Sequence, residues 1–365
     1  MANIYDVAKR AGVSVATVSR YIRGHPVRPD NAEGIAQAIA ELDYRPSSAA
    51  RALITKRTGV VGMVVPNIAN AFYSEVFRGF HDCLLASNYQ VILANSDRVL
   101  HQETQIIDSL VRLGVEGLAL VPLASEEGLG SEAQLASIRR LQRIQNSGGV
   151  PVVAITECIP YQEAFDTVSV DGREAAYMAT RHLLRTGREG IALLGGNPEA
   201  DAVRRRIDGY RQAMIEYGLS PLSLIHYPGG TDRESGYRLM TDVLREQPKI
   251  NAVLGVNDQI ALGALMFLED HEISIPEQMA VMGIDDVAET RIVRPRLSTV
   301  AQPQYEIGYE AGRLLLARIN QEVDTDGPVC RTLPIRLKVR ESTWEVSQSF
   351  VEPKPEPMSI HEHDG

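Results

Sequence analysis

The sequence predicts an α/β protein: a three-helix helix-turn-helix head and a hinge helix, then a two-lobed body with doubly wound parallel sheets. Three observations carry this. Two short helical patterns flank Ala11-Gly12-Val13 at the start of the chain. The charge changes sign along the chain: residues 1–58 hold nine Lys/Arg and five acids, a net of +4, which leaves −14 for the rest of a total of −10. From residue 59 apolar runs alternate with helical stretches, the pattern of parallel strands joined by crossover helices.

In the head, Asn3 caps the first helix and Asp6 reaches back to it, a capping-box spacing. Val7, Ala8 and Ala11 share one helical face. Gly12 suits the left-handed turn that follows. Ser14 caps the second helix, whose buried stripe is Val18 and Ile22. A third helix turns Ile35, Ile39 and Leu42 inward. Helices this short hold only by sharing one core. The second helix faces outward with Val15, Ala16, Ser19 and Arg20. Small, hydroxyl and Arg side chains suit a helix that enters a DNA major groove by its N-terminus, with Arg reading guanine and Ser or Thr holding phosphates. A basic head on an acidic body points to a polyanion partner for the head alone. The stretch "YRPSSAARALITKRTG" then offers Ser47 or Ser48 as cap for a short helix at 49–54. Leu53 is its exposed apolar residue, placed as a minor-groove wedge would be.

The body opens on the apolar run "VVGMVVP" (60–66), followed by "YQVILANS" (89–96), "GVEGLALVP" (114–122) and "VPVVAIT" (150–156), with helices between. A second series is expected from "TVSVDG" near residue 166, through "GIALLGG" (190–196), "SLIHYPG" and "INAVLGVND" (250–258), to "MAVMGIDD" (279–286). "LSTVAQP" (297–303) and its helix should cross back to the first lobe, and residues 332–343 should return to the second. In open α/β sheets ligands sit beyond the C-terminal strand ends. Those ends are Pro66-Asn67, Asn95-Ser96, Val121-Pro122, Gly196-Asn197, Asn257-Asp258 and Asp285-Asp286. Their amides and carboxylates suit a polar ligand. Asp258 and Asp285 are also suited to capping helices.

Other classes find little support. No run approaches the ~20 apolar residues of a membrane span, and no apolar signal region opens the chain. Cys83, Cys158 and Cys330 are far apart and odd in number, which fits a reducing cytoplasm better than a disulfide framework. No P-loop, zinc spacing or Ser-His-Asp signature appears, and "LLGGNPEA" lacks the GxGxxG order. No enzyme activity, cofactor or metal is therefore expected. "VEPKPEPMSIHEHDG" reads as a disordered tail, and its His361 and His363 as a poor metal site.

"IYDVAKRAGVSVATVSRYIRG" with "ELDYRPSSAARAL" resembles the head and hinge of the lactose-repressor (LacI/GalR) family of bacterial transcription regulators. "NAFYSEVFRGF", "RRRIDGY", "GVNDQIALGAL", "MGIDDV" and "LSTVAQP" extend the resemblance to about residue 343. It implies a body with the fold of periplasmic sugar-binding proteins. It implies a cytoplasmic homodimer that binds a near-palindromic double-stranded operator, most often as a repressor, under control of a small effector such as a sugar or sugar derivative. It implies base reading by Val15, Ala16 and Arg20, a phosphate contact at Tyr5, and the wedge at Leu53. Ser14, Thr17 and Ser19 complete the expected DNA-facing set. Effector contacts are implied at Phe72, Tyr73, Arg206, Asn257 and Asp285, with Asp258 in support; Arg204 and Arg205 are expected on a solvated face. Two departures stand out. Arg28 replaces the usual capping Ser or Thr of the third helix, worth about 1 kcal/mol. Thr231 in "GGTDRESGY" replaces an aromatic on which a base or ring could stack, which counts against a purine effector.

The expected organisation is a DNA-binding head at 1–45, a hinge at 46–58, an effector-binding and dimerisation body at 59–343, and a tail at 344–365. Lobe 1 is expected at about 59–157 and 294–321, lobe 2 at about 158–293 and 322–343. With no heptad tail, a dimer is favoured over a tetramer.

Overall fold

A computed structural model describes residues 2–22, 25–44, 57–221, 230–246, 249–323 and 327–343. The expected hinge helix with Leu53, the stretch "SLIHYPG" (223–229) and the tail lie outside the described residues. The chain divides into two compact units, one up to Val60 that takes in Gly114–Glu116, the other the remainder.

The head holds α1 (Ile4–Ala11), α2 (Val15–Ile22) and α3 (Pro29–Glu41). The Asn3 side chain accepts the Asp6 N–H at 3.2 Å while the Asp6 carboxylate accepts the Asn3 N–H at 2.9 Å, closing the capping box. Gly12 sits at φ +65°, a left-handed conformation that spares a Cβ clash, and turns the chain toward α2. Ser14 Oγ accepts the Thr17 N–H at 3.2 Å and caps α2. α3 starts at Arg28 with no side-chain cap. Val7, Ala8, Val18, Ile35 and Ala38 form one small core, to which each helix adds one or two residues. No helix has a core of its own, so the three fold together.

In chain order the body continues with β1 (Val60–Val65), α4 (Ala71–Leu85), β2 (Gln90–Asn95), α5 (Leu100–Arg112), β3 (Leu118–Leu120), α6 (Leu123–Glu126), α7 (Gly130–Gly148), β4 (Val152–Ile155), α8 (Ile159–Gln162) and β5 (Asp166–Ser169). Then come α9 (Gly172–Arg185), β6 (Ile191–Leu194), α10 (Asp201–Glu216), α11 (Arg233–Glu246), β7 (Ala252–Gly255), α12 (Asp258–Asp270) and β8 (Ala280–Asp285). A 3-10 turn (Ala288–Arg291), β9 (Ser298–Ala301), α13 (Gln304–Ile319), β10 (Cys330–Thr332) and β11 (Arg336–Lys338) complete it. The strands form two sheets, ordered β10-β5-β4-β3-β1-β2 and β11-β9-β8-β7-β6. In the second sheet β6 to β9 run parallel and β11 alone pairs antiparallel, with Leu337 opposite Val300. Two apolar clusters fill the layers. One is centred on Val61, Met63, Phe80 and Val153, the other on Ala192, Leu254, Ile260 and Met282.

Sheet membership corrects the expected sorting at three places. β5 (166–169) joins the first sheet, not the second series. Asp166 is the reason: it is buried, takes a two-pronged contact from Arg318 at 2.7 Å, and accepts the Val329 N–H at 2.7 Å. β9 stays in the second sheet, paired parallel to β8, and only α13 crosses back. The Thr299 hydroxyl donating to Asp258 at 2.6 Å ties β9 there. β10 returns to the first sheet before β11 crosses again. The chain therefore passes between the layers three times, at 170–171, 302–303 and 333–335.

α4 and α13 cover the first sheet and touch backbone to backbone. A Cβ on Gly308 would lie 1.8 Å from the Val76 carbonyl oxygen, and one on Gly79 would lie 1.9 Å from that of Tyr305. Only glycine permits this approach. No described helix is long and apolar enough to cross a membrane.

Candidate functional site

On the head, α2 keeps Val18 fully buried and leaves Ser14, Ala16 and Arg20 exposed, with Val15, Thr17 and Ser19 half-buried. Tyr5, on α1, is 71% exposed, high for a tyrosine. Ser14 Oγ and Thr17 Oγ1 are 2.8 Å apart, so these hydroxyls first serve the helix cap. The helix presents its N-terminal N–H groups, small side chains and one guanidinium. That combination suits a groove with a phosphate at its rim.

In the body a cavity of about 110 Å³ lies where the C-terminal strand ends of both sheets meet. At ~10–15 Å³ per water position this is room for on the order of ten waters, or one small polar molecule. All five predicted effector contacts line it. Phe72 and Tyr73 enter from the first turn of α4, their rings edge-to-face at 5.3 Å. The Tyr73 hydroxyl donates to Glu126 at 3.2 Å, and burial pushes its pKa well up. Arg206, on α10, donates from Nη1 to the Val256 carbonyl at 2.5 Å, and its Nη2 stands 4.0 Å from Asp285 Oδ1. Its Nε is buried with no acceptor among the described residues.

Asn257 faces the cavity, yet its amide is already engaged. Its oxygen accepts the Ile260 N–H at 2.9 Å, capping α12, and its nitrogen donates to the Thr231 carbonyl at 3.0 Å. The cap of α12 is thus Asn257 rather than Asp258. Asp258 is fully buried, outside the cavity lining, and accepts from the Thr299 hydroxyl and the Val287 N–H. Asp285 ends β8 at φ +135°, accepts from Gln302 Nε2 at 2.6 Å, and has its carbonyl held by Gln304 at 2.7 Å. Burial raises the pKa of both aspartates, with Arg206 opposing at Asp285.

The structure adds residues that the strand-end rule left out. Arg98, Glu126, Glu127, Glu157, Gln302 and Thr231 also line the cavity. Arg98 follows Asp97 with both at positive φ, +49° and +59°, a strained pair that aims the guanidinium inward. It donates to the Thr231 hydroxyl at 2.7 Å and pairs with Glu127 at 3.3 Å. The position that an aromatic could have filled is thus tied to the opposite layer by an arginine. Arg205 is not on a solvated face: it is half-buried, donates to the Glu157 carbonyl at 3.2 Å, and approaches its carboxylate at 3.7 Å. Arg204 is exposed and pairs with Asp201. Asp201 also accepts from Ser125 and Gln134, both at 2.9 Å, across the cleft. Burial pushes the Glu157 carboxyl up to about 7, against the pull of Arg206, and raises that of Glu126.

α6, which carries Glu126 into the cleft, is held from behind by Glu103. That carboxylate is 1% exposed, accepts the Leu123 N–H at 2.9 Å, and is pushed up to about 7 by burial. A carboxyl raised from its ordinary 4.5 to about 7 by folding binds more protons in the native state between those values. Its favourable contribution is complete below the ordinary value and is lost as pH rises through about 7. Glu103→Gln is expected to flatten the fall in stability between pH 5 and 8, and to unfold later in urea at pH 8, by about 1–3 kcal/mol. Parallel pH curves for the two proteins would refute this.

Comparison with known proteins matches both the head and the body to known families. Residues 3–47 match the model for bacterial regulatory proteins of the lacI family, and residues 180–343 that for a periplasmic binding protein-like domain. Catabolite control protein A of Priestia megaterium is 32% identical over 342 residues, covering 93% of this chain and 98% of that one. Among solved structures, the transcriptional regulator CelR in complex with cellobiose aligns at TM-score 0.68 with 29% identity, over 94% of this chain and all of that one. The lac repressor dimer bound to operator and the anti-inducer ONPF shares the fold at TM-score 0.82 with 22% identity, over 94% of this chain and 99% of that one. The match of the head to the family model, with a relative 32% identical over 93% of this chain, shows that the chain belongs to the lacI family of bacterial regulatory proteins.

Proposed function

We propose that the protein is a cytoplasmic, homodimeric transcriptional repressor whose operator affinity is set by a small polyhydroxylated effector in the cleft. The observation that carries this is α2: its core residue Val18 is locked in while Ala16 and Arg20 stand exposed at its groove-facing positions. The lac repressor dimer is bound to operator DNA, and CelR holds cellobiose. In this chain two copies of α2 would enter successive major grooves of a near-palindrome. Val15, Ala16 and Arg20 would read bases, Tyr5, Ser14, Thr17 and Ser19 would hold the backbone, and Leu53 would wedge the central minor groove. Phe72, Tyr73, Arg206, Asn257 and Asp285 would hold the effector. The reading assigns the cleft no catalytic step. An effector that prefers one spacing of the layers shifts the equilibrium by its differential affinity, typically 1–3 kcal/mol, and the coupling is reciprocal.

The test is selection of bound sites from a random duplex library, repeated with a panel of sugars. Enrichment of a palindrome, altered by one compound, is the expected result, and absence of sequence enrichment under every condition refutes the proposal. Within the selected site, Arg20→Ala is expected to cost ~1–3 kcal/mol and to relax preference at one base pair per half-site. An equal loss on all sequences would make Arg20 a phosphate contact only.

A further inference from the structure

We propose that Glu116 is a positioning residue for DNA binding: its carboxylate clasps residues 57–59, where the chain passes from hinge to body, and so fixes the point and direction from which the hinge departs. This rests on the head reading a two-half operator as a dimer. The two oxygens of Glu116 are used separately. Oε1 accepts the Gly59 N–H at 2.7 Å, and Oε2 accepts from Arg57 Nε at 3.1 Å. Two more bonds join the same segments. The Thr58 hydroxyl donates to the Gly114 carbonyl at 2.8 Å, and the Glu116 N–H donates to the Val60 carbonyl at 2.8 Å. The Glu116 side chain is 12% exposed and that of Arg57 51%, so the acid is the fixed half of the pair.

The local sequence is shaped for this grip. Gly59 stands at φ +68° and Gly114 at φ +78°, left-handed conformations that favour glycine on both sides of the clasp. Hydrogen bonds to an ionised acceptor are stronger than neutral ones, so a carboxylate holds here better than an amide would. The compact unit up to Val60 takes in Gly114–Glu116, the residues that make the clasp. β3 starts two residues after Glu116, and Val121, just past its far end, lines the cavity. The segment that grips the hinge exit is thus continuous with a strand that ends at the cleft. Two linked readers bind one duplex tightly only when the span between them matches the half-sites. A hinge that leaves from a fixed point sets one span, and a hinge released at its base samples several.

The experiment uses the full chain, the duplex selected from the random library, and the same duplex with one base pair inserted at its centre. The insertion moves the half-sites apart by ~3.4 Å and turns them by ~35°. Affinities are read by fluorescence anisotropy. The parent protein is expected to lose at least about 30-fold on the insertion, and Glu116→Ala no more than about threefold. Arg57→Ala should fall between, and the Arg57→Ala, Glu116→Ala double variant should match Glu116→Ala alone. A parent protein indifferent to spacing overturns the proposal, as does a Glu116→Ala protein that keeps the full penalty. An equal loss on both duplexes with a lowered urea midpoint makes Glu116 a residue of stability only, and also overturns it. If Glu116→Ala does not fold, Glu116→Gln and Arg57→Ala carry the test, and an undiminished penalty in both refutes the clasp. Failure of the parent protein to select any palindrome is a different result, and it refutes the operator reading itself.

Discussion

Replacing Arg206 with alanine is expected to abolish the effector response while leaving effector-free operator binding intact. Arg206 is the cation shared by three acids of the cleft. It is the strongest opposing influence on the raised carboxyls of Glu126, Glu157 and Asp285. It also spans two secondary elements, reaching from α10 to the carbonyl at the end of β7 and toward the end of β8. Truncating one partner of a buried charge pair costs about 3–5 kcal/mol, mostly because the other partner is left uncompensated. The acids then take up protons instead of remaining ionised, and they lose their geometry as acceptors. Effector affinity should fall by more than 100-fold, a loss equivalent to about 3 kcal/mol. Arg206→Lys should recover part of the charge balance but not the forked contact. Titration of effector and of operator against each variant measures both quantities, and a normal effector response in Arg206→Ala would sink the assignment.

The second large effect concerns stability. Gly308→Ala places a methyl only 1.8 Å from the Val76 carbonyl oxygen, so the helices α4 and α13 must separate. Both helices also pack the first sheet, and the opening spreads into its core. A loss of at least 3 kcal/mol is expected, at the upper end of overpacking costs, with a proportionate drop in yield of folded protein. Gly312→Ala is the control, since its nearest atoms, from Cys83 and Phe80, lie at 3.0–3.3 Å and its cost should be about 1 kcal/mol. Urea unfolding of the three proteins decides the matter. A Gly308→Ala midpoint within error of the parent would show that the helix pair yields freely.

The head was almost wholly legible in the sequence because its determinants are local. The Asn3–Asp6 box, Gly12 and Ser14 each act within three or four residues, and the structure shows each bond or angle that these spacings imply. The sorting of strands was not legible. Whether β5 pairs with β4 or begins a new sheet depends on Arg318 and Val329, more than 150 residues away, meeting Asp166. No periodicity in residues 158–170 reports that. In the cleft, the strand-end rule found positions adjacent to the ends and missed those a few residues on. Glu126 and Glu127 follow Val121-Pro122 by one short helix, and Arg98 follows Ser96 by one strained turn. Their contribution depends on loop direction, which composition does not encode. Arg205 was misjudged because helical spacing assigns it to a different face from Arg206, whereas its long side chain reaches back to Glu157.

The threefold passage of the chain between its two layers governs how the protein is made. The first sheet begins at Val60, but its edge strand β10 comes from Cys330–Thr332. During vectorial synthesis at ~5–20 residues per second, everything between must emerge before that sheet can close. For some tens of seconds β5 therefore offers an open edge to neighbouring nascent chains. α13, which covers the apolar face of the same sheet, arrives only shortly before β10. The two layers cannot mature one after the other as beads on a string. Each waits for segments that follow residue 300, so a ribosome that stalls before that residue releases a chain with neither layer complete.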